Sequence, residues 1–489
     1  MIGLKLEPLM AGFEYDIYSL VKAFYPKEEI KTNFLEAPLL LEIKSQQQND
    51  QIALVIIWSE LLEKLEEQRV VTISEPAQKK DRKTIKNLIK QGIYQILSER
   101  TKKILPWGTL TGIRPVKIPY FMLEEGRKDE EISDFMKRTY LTGKEKIALS
   151  IEIAKKEREL LSKIDYQNGY SIYIGIPFCP TRCLYCSFPS YPLKIWEKRV
   201  EQYINALCYE LEAVFQIMQT QKKRIHTVYF GGGTPTTLTP EQLGRLLEKL
   251  VTTFDLKDNL EFTVEAGRPD SITKDKLSVL QQYGVNRISV NPQTMNQKTL
   301  DLIGRQHTTE QTKEAFWLVR ECGFTNINMD IITGLPGETK EDMEFTMQEL
   351  AKLKPDSVTV HSLALKRASR LKEQQEQYAD YISRNDEKIT AMTERYAREM
   401  GLQPYYLYRQ KNMTGNLENV GYASAGKAGI YNILIMEEVQ TIVACGAGSI
   451  SKRVYPDGCI ERCENVKDVS QYIERIGEMI ERKRVLLED

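Results

Sequence analysis

Short runs of apolar and β-branched residues alternate with stretches of helical period through the middle of the chain. The runs fall at Ser171–Ile176, Thr227–Phe230, Glu261–Val264, Arg287–Val290, Asn326–Ile332 and Ser357–His361. Between them, apolar positions recur at three- and four-residue spacing over Trp196–Met218, Pro240–Phe254, Lys274–Tyr283, Glu310–Cys322 and Lys340–Leu353. This alternation predicts βα units joined by right-handed crossovers, and therefore a parallel α/β sheet. Six such units are too few to close an eight-stranded barrel. A partial, splayed (β/α)6 barrel is the expectation, with its chemistry at the C-terminal ends of the strands.

The flanking regions carry other patterns. Residues 1–164 open with the alternating stretch Ile2–Leu6 and a helical stretch at Tyr15–Phe24. Strand-like runs follow at Leu39–Ile43, Ile52–Trp58 and Val70–Ser74, then a helix over Arg82–Glu99. The mixture predicts a small N-terminal α+β domain of unassigned role, closed by turn residues in Pro106–Pro115 and a charged linker helix over Gly143–Leu161. Residues 165–370 form the predicted core. Residues 371–489 predict a C-terminal α+β extension. It comprises a long charged helix from Leu371 to Met400, a strand at Pro404–Arg409, a Gly-rich loop, a strand at Gln440–Ala444 and a charged helix over Val469–Glu488.

Composition narrows the class. The 489 residues are 42% hydrophobic and 28% charged, ordinary for a soluble globular chain. Lys plus Arg and Asp plus Glu both number 68, so the formal net charge is zero, which argues against a nucleic-acid partner. No apolar run reaches the ~18 residues of a membrane span. The segment Met1–Phe13 carries Glu7 and lacks a basic region ahead of an apolar stretch, so it does not read as a secretory signal. A cytoplasmic protein is the expectation. The eight cysteines are too few for a disulfide scaffold in a chain of this length, and three of them cluster. Cys208, Cys322 and Cys445 sit in apolar or helical patterns that predict burial. Cys459 and Cys463 form a C-x3-C pair that reads first as free thiols.

The cluster is Gly175-Ile176-Pro177-Phe178-Cys179-Pro180-Thr181-Arg182-Cys183-Leu184-Tyr185-Cys186, directly after the first predicted strand. Three thiolates in C-x3-C-x2-C spacing on one loop can hold three irons of a 4Fe–4S cube. A missing fourth cysteine leaves one iron open to a chelating ligand. The competing reading is a zinc knuckle or free structural thiols, which the spacing and the lack of a nearby His disfavour. After the second strand comes Tyr229-Phe230-Gly231-Gly232-Gly233-Thr234-Pro235-Thr236, where bare glycines allow close backbone approach to a ligand. Glu265, Gln293, Arg305 and Asp330 then recur at or beyond later strand ends. Each alone reads as a satisfied polar residue; together they would ring one mouth of the barrel.

The C-x3-C-x2-C loop, the Gly-Gly-Gly-Thr-Pro-Thr run and Asp330-Ile331-Ile332-Thr333-Gly334-Leu335-Pro336-Gly337-Glu338-Thr339 resemble the radical SAM superfamily. With Tyr173, Ile176-Pro177-Phe178 and Arg287-Ile288-Ser289-Val290-Asn291-Pro292-Gln293, they resemble more narrowly the oxygen-independent coproporphyrinogen III dehydrogenase (oxidase) family. The N-terminal extension and residues 421–453 resemble its HemZ-like branch. The resemblance implies a 4Fe–4S cluster on Cys179, Cys183 and Cys186, with S-adenosylmethionine (SAM) chelating the fourth iron. It implies a SAM pocket lined by Tyr173, Tyr185, Gly232, Gly233, Thr234, Glu265, Gln293, Arg305 and Asp330. Val360 and, by a looser alignment, Ile450 match further SAM-contacting positions.

The activity implied is reductive cleavage of SAM followed by oxidative decarboxylation of coproporphyrinogen III to protoporphyrinogen IX. It calls for an external one-electron donor such as flavodoxin or ferredoxin and a tetrapyrrole substrate. Lys366, Arg367 and Arg370, just beyond the sixth strand, are candidate partners for its carboxylates. His307 and His361 are further candidates for contact with a ligand. The chain departs from the family pattern at Gly175, where His is usual, at Phe188, where a further Cys is usual, and at Val360, where Ala is usual. A related haem-binding chaperone that keeps the cysteine loop but makes no vinyl groups is the competing reading. RNA methylthiolation, a third, is weakened by the zero net charge.

Overall fold

The structure is a computed structural model that describes all residues except 8–11, 49–50, 61–64, 74–81, 113, 367, 375, 379–384, 411–412 and 489. It divides into two compact units, Met1–Ala154 with Arg409–Asn412, and Lys155–Tyr408 with Met413–Asp489.

In the first unit a five-stranded sheet runs in the order Ile30–Thr32, Ile2–Leu6, Leu39–Gln48, Gln51–Glu60, Leu65–Ile73. The first three strands are parallel and the last three antiparallel. Helices Glu14–Phe24 and Arg82–Thr101 bury Ile17, Leu20, Val21, Phe24, Ile89, Ile93 and Leu97 in one cluster with Ile2, Leu4, Leu41, Ile43, Leu54, Ile56 and Trp58. The α+β expectation for this segment matches these elements. The third strand of the meander starts earlier than Val70, because Leu65–Arg69 pairs with Ile56–Glu60 despite its polar composition; Ser74 lies outside the described residues. The strand Ile30–Thr32 is a three-residue edge with no sequence signal. Trp58 is fully buried and stacks on Tyr25 at 5.4 Å between ring centroids. Trp58→Ala is expected to destabilise this unit by about 3–5 kcal/mol, read as a lower midpoint in urea unfolding.

The second unit holds an eleven-stranded sheet. Its strands are β1 (Gly169–Ile176), β2 (Arg224–Gly232), β3 (Glu261–Glu265), β4 (Arg287–Ser289), β5 (Ile327–Thr333), β6 (Ser357–Ser362), β7 (Gln403–Tyr408), β8 (Asn419–Ala423), β9 (Thr441–Cys445), β10 (Ile450–Val454) and β11 (Ile460–Glu464). The order is β7-β8-β6-β5-β4-β3-β2-β1-β9-β10-β11. Strands β1 to β6 are parallel neighbours in chain order. The helices between them are α1 (Leu193–Gln219), α2 (Pro240–Thr253), α3 (Lys274–Gln282), α4 (Thr309–Glu321) and α5 (Lys340–Leu353). This is the expected α/β fold with a partial (β/α)6 core. Among the described residues no pairing joins its two edges. β9 adds a further parallel strand beside β1, and antiparallel pairs extend both sides.

Side chains alternate across each strand, so the sheet has two chemically distinct faces. One carries Ile172, Ile174, Ile176, Val228, Phe230, Phe262, Val264, Met329, Ile331, Val358 and Val360, all buried and apolar. It is the face that amphipathic helices can cover. The other carries Tyr173, Tyr229, Glu265, Ser289, Asn328, Asp330, Thr359 and His361. Its polar groups satisfy one another: Asn328 donates to Asp330 Oδ1 (2.7 Å) and accepts from Ser357 Oγ (3.0 Å) and Thr359 Oγ1 (3.3 Å). A lumen of this kind holds position without an apolar core.

The C-terminal region departs most from expectation. The helix expected over Leu371–Met400 is not continuous: Arg370–Glu373 and α6 (Glu387–Glu399) are separate, with residues 375 and 379–384 outside the description. Asp386 caps α6 by accepting from Ile389 N at 3.0 Å, which starts a new helix there. The Gly-rich loop contains β8 and a helix, α7 (Ile430–Glu437). The expected helix Val469–Glu488 breaks at Arg475 into Val469–Glu474 and Ile476–Leu487. The hairpin β10–β11 carries no apolar alternation strong enough to signal it, since Ile460–Glu464 is largely exposed.

Candidate active site

The cysteine loop leaves the C-terminal end of β1. Phe178–Cys179 forms a two-residue strand against Tyr191–Pro192. Leu184 N donates to Ile303 O, and Leu184 O accepts from Leu371 N, both at 2.9 Å. Arg182 Nη2 donates to Ala368 O at 2.6 Å. The loop is thus tied to segments beyond β4 and β6. Cys183 is buried, and Cys179 and Cys186 are partly so. Burial pushes the Cys179 thiol up to about 12; a bond from Thr234 opposes this, while the charges of Cys186 and Cys183 add to it. Burial also raises Cys186, and Cys183 adds to that. Among the described residues no three His, Cys, Asp or Glu side chains converge on a single metal-ion position. A cube that takes one thiolate per iron does not require such convergence.

The glycine run of β2 packs directly on this loop. Gly233 N donates to Ile176 O and Thr234 N to Phe178 O, both at 2.8 Å. Thr234 Oγ1 donates to Cys179 Sγ at 3.5 Å. A Cβ on Gly233 would lie 2.6 Å from Phe178 O and 3.0 Å from Cys179 Sγ.

Deeper in the lumen, the rings of Tyr173, Tyr229 and Tyr431 stack, with Tyr229 and Tyr431 at 4.5 Å. Tyr229 donates to Glu265. Burial pushes the Glu265 carboxyl up to about 7, the Asp330 charge adds to it and the Tyr229 bond opposes it. Asp330 lies across the lumen, its Oδ2 3.7 Å from His361 Nε2. Burial raises the Asp330 carboxyl, but His361 and bonds from Asn328 and Thr359 outweigh this and hold it below its ordinary value.

Gln293 takes a left-handed backbone (φ 68°), fixed by its N–H to Asp330 O and by Ile332 N to its own O, both at 2.9 Å. Its Oε1 is buried with no hydrogen-bond partner among the described residues. Arg305 is buried and donates to Asn291 O (2.6 Å), Gly267 O (2.8 Å) and Tyr185 Oη (3.2 Å), yet its Nε has no partner among the described residues. Such orphaned polar atoms are rare in folded chains and fit a site completed by a polar ligand.

Two expected positions stand apart. The Val360 side chain is on the apolar face, opposite Thr359 and His361, so only its backbone remains for a ligand. Ile450 is 47% exposed and pairs with Glu464 in the edge hairpin. Ahead of that hairpin, Ala447 N donates to Tyr203 Oη (3.0 Å), which donates to Gly175 O of β1 (2.6 Å). His307 is fully buried, with neither ring nitrogen bonded among the described residues; burial, then the charges of Arg305 and Arg268, push it down to about 3. Lys366 Nζ sits 5.8 Å over the Phe188 ring, Arg370 is exposed, and Arg367 lies outside the described residues. Cys459 is exposed and Cys463 partly buried; Cys445 is buried as expected, but Cys208 and Cys322 are only partly so. Sequence reasoning missed Tyr229 and Tyr431. Tyr229 had a signal, since it alternates with Gly231 on the lumen face; Tyr431 had none.

A thiol loop at the end of the first strand of an open (β/α)6 sheet, backed by a glycine run on the second, defines a radical SAM-type site. Residues 173–350 match the family model described as the Radical SAM superfamily. The chain is 44% identical over 415 residues to the oxygen-independent coproporphyrinogen-III oxidase-like protein HemZ of Bacillus subtilis (strain 168), covering 83% of this chain and 82% of that one. It is 38% identical over 194 residues to the heme chaperone HemW of the same organism, covering 40% of this chain and 50% of HemW. The crystallised coproporphyrinogen III oxidase HemN of Escherichia coli superposes with a TM-score of 0.48 at 24% identity, over 66% of this chain and 73% of HemN. The chain belongs to the HemN/HemZ-like family of the radical SAM superfamily. Its cofactors are accordingly a 4Fe–4S cluster and SAM. Among the described residues no helix is long and apolar enough to cross a membrane.

Proposed function

We propose that the chain is a radical SAM oxidoreductase that converts coproporphyrinogen III to protoporphyrinogen IX without O2, releasing two propionate carboxyls as CO2 and consuming one SAM as oxidant, to methionine and 5′-deoxyadenosine, for each vinyl group formed. The observation that carries a radical SAM reaction is the three-thiol loop joined through Tyr185 to the buried Arg305, whose Nε lacks a partner among the described residues, as does the buried Gln293 Oε1. Kinship with HemZ over 83% of the chain supports the substrate class. In this reading Cys179, Cys183 and Cys186 hold the cluster. Tyr173, Tyr185, Gly232, Gly233, Thr234, Glu265, Gln293, Arg305 and Asp330 line the SAM pocket. When bound, the two cofactors supply one-electron cleavage of a sulfonium and, from it, hydrogen-atom abstraction. The chain's own residues orient SAM, exclude water and hold the substrate, with Lys366 at the loop as a partner for a propionate. The reaction takes place in the cytoplasm with an external one-electron donor such as flavodoxin or ferredoxin.

A second reading, a haem-carrying chaperone, is favoured by the HemW match and by Phe188 at the family's further cysteine position. Anaerobically reconstituted protein incubated with coproporphyrinogen III, dithionite and SAM separates the two. Protoporphyrinogen IX with two equivalents of CO2 supports the oxidoreductase. Stoichiometric haem binding with SAM cleavage but no CO2 supports the chaperone.

Glu265 gives this pocket a pH dependence. A carboxyl poised near 7 is mostly neutral at pH 6 and mostly ionised at pH 8. The amine N–H groups and the sulfonium charge of SAM favour the ionised form, which accepts and does not donate. SAM is therefore expected to bind about tenfold more tightly at pH 8 than at pH 6, and Glu265→Gln to flatten the profile, by calorimetric titration at both pH values. The stability sign is opposite: the folded pKa exceeds the ordinary 4.5, so this group's contribution falls as pH rises from about 4.5 through 7.

A further inference from the structure

Between Cys179 and Cys183 the loop is held by a charged relay that originates beyond β3. Arg268 is 3% exposed. Its Nε and Nη2 form a forked pair with Asp270 Oδ1 and Oδ2, both at 2.9 Å. This uses one edge of the guanidinium and leaves Nη1 aimed at the loop, where it donates to Thr181 Oγ1 at 2.9 Å. Thr181 Oγ1 in turn donates to Gly304 O at 3.1 Å. Thr181 is two residues from each of the two cysteines that bracket it. The relay is rigid at its root. Ser271 N and Oγ both donate to Arg268 O (3.0 and 2.7 Å), and Ser271 Oγ meets Thr236 Oγ of the glycine-run segment at 2.6 Å. Loops after β3 and β4 thus meet at one hydroxyl of the cysteine loop, and the loop after β2 braces the root of the relay through Thr236.

We infer that Arg268, oriented by Asp270, is a positioning residue for the cluster: it fixes the loop through Thr181 and sets a buried positive charge beside the cluster's thiolates. Two physical effects follow. The forked pair pre-organises the guanidinium, so the Thr181 bond costs little side-chain entropy. A buried cation near an iron–sulfur cluster favours its reduced, more negative state, because the interior screens charge poorly; Asp270 on the far edge of the guanidinium offsets part of this, so the pair acts as a dipole with its positive end on the loop. Reduction is the step that adds one electron to the cluster, so Arg268 eases it without touching substrate.

This inference rests on the reading that the three thiols hold a cluster, and the test separates the two. Full-length parent, Arg268→Gln/Asp270→Asn, Arg268→Lys and Thr181→Val are reconstituted anaerobically with iron and sulfide. Each is assayed for iron per chain, low-temperature EPR of the reduced cluster and midpoint potential by dithionite titration. The double variant removes both charges and so leaves no unpaired buried ion. It is expected to load iron as the parent does but to show a shifted EPR line shape and a more negative potential, with Arg268→Lys recovering part of the shift. Thr181→Val keeps the charge, so a changed line shape with a smaller potential shift is expected. A parent without a cluster sinks the underlying reading and this inference together. A loaded parent whose potential and line shape are unchanged in the loaded double variant sinks this inference alone. Should the double variant fail to fold or load, Thr181→Val decides, and a parent-like line shape there overturns the proposal.

Discussion

Cys183→Ala is expected to abolish cluster binding while leaving the fold intact. Reconstituted parent protein should carry roughly four irons per chain with a broad visible absorption, since three thiolates suffice to anchor a 4Fe–4S cube whose last iron takes another ligand. Removing the middle thiolate leaves two anchors on a loop and two irons without a protein ligand. Iron content should fall towards zero, and SAM cleavage with it. The structural loss is small by comparison. Cys183 is buried at 8% exposure, but the bonds of Leu184 to Ile303 and Leu371 are backbone to backbone and survive the substitution. A stability change of about 1 kcal/mol or less is expected in urea unfolding. Cys322→Ser, at a partly buried thiol beyond α4, is the control and should load iron like the parent. Parent-level iron in Cys183→Ala would remove the foundation of the functional reading.

The difference between what the sequence disclosed and what it concealed follows from the range of the interactions. The six parallel strands were legible because each is a short stretch of apolar and β-branched residues bounded by turns, a pattern written within a few residues. The cysteine loop and the glycine run were legible for the same reason: each is a contiguous motif. The Arg268–Thr181 bond joins residues 87 apart, and no local pattern marks it. Tyr431 joins the Tyr173–Tyr229 stack from α7, within a stretch whose glycines read as loop. Charge misled at Leu371–Met400, where polar helical composition continues across a segment that the Asp386 cap interrupts. The face of Val360 was not written in its motif: an alignment fixes position along a strand, while a one-residue step decides which side of the sheet a side chain serves.

Gly233→Ala is expected to drive the cysteine loop directly off the glycine run. Its Cβ would sit 2.6 Å from Phe178 O, and 3.0 Å from both Cys179 Sγ and Ile176 O. Neither carbonyl is free to retreat, because Phe178 O accepts from Thr234 N and Ile176 O accepts from Gly233 N itself. Relief must come from moving the cysteine loop off the glycine run, which draws Cys179 away from Cys183 and Cys186. Overpacking of this kind costs about 1–3 kcal/mol in stability. The larger effect falls on the cluster, with iron retention and SAM affinity expected to drop together. Gly232→Ala distinguishes crowding from backbone strain: its nearest atoms are 3.3–3.4 Å away, but its φ of 106° is one that an L side chain rarely adopts. It should lose stability through its own backbone and retain more iron than Gly233→Ala. Gly244→Ala in α2 meets only Val279 Cγ1 at 3.7 Å and should hold the parent's iron while gaining a few tenths of a kcal/mol, up to about 1, from helix propensity. Equal iron loss at positions 232 and 233 would mean that the backbone conformation of the run, and not the space under Cys179, is what the cluster requires.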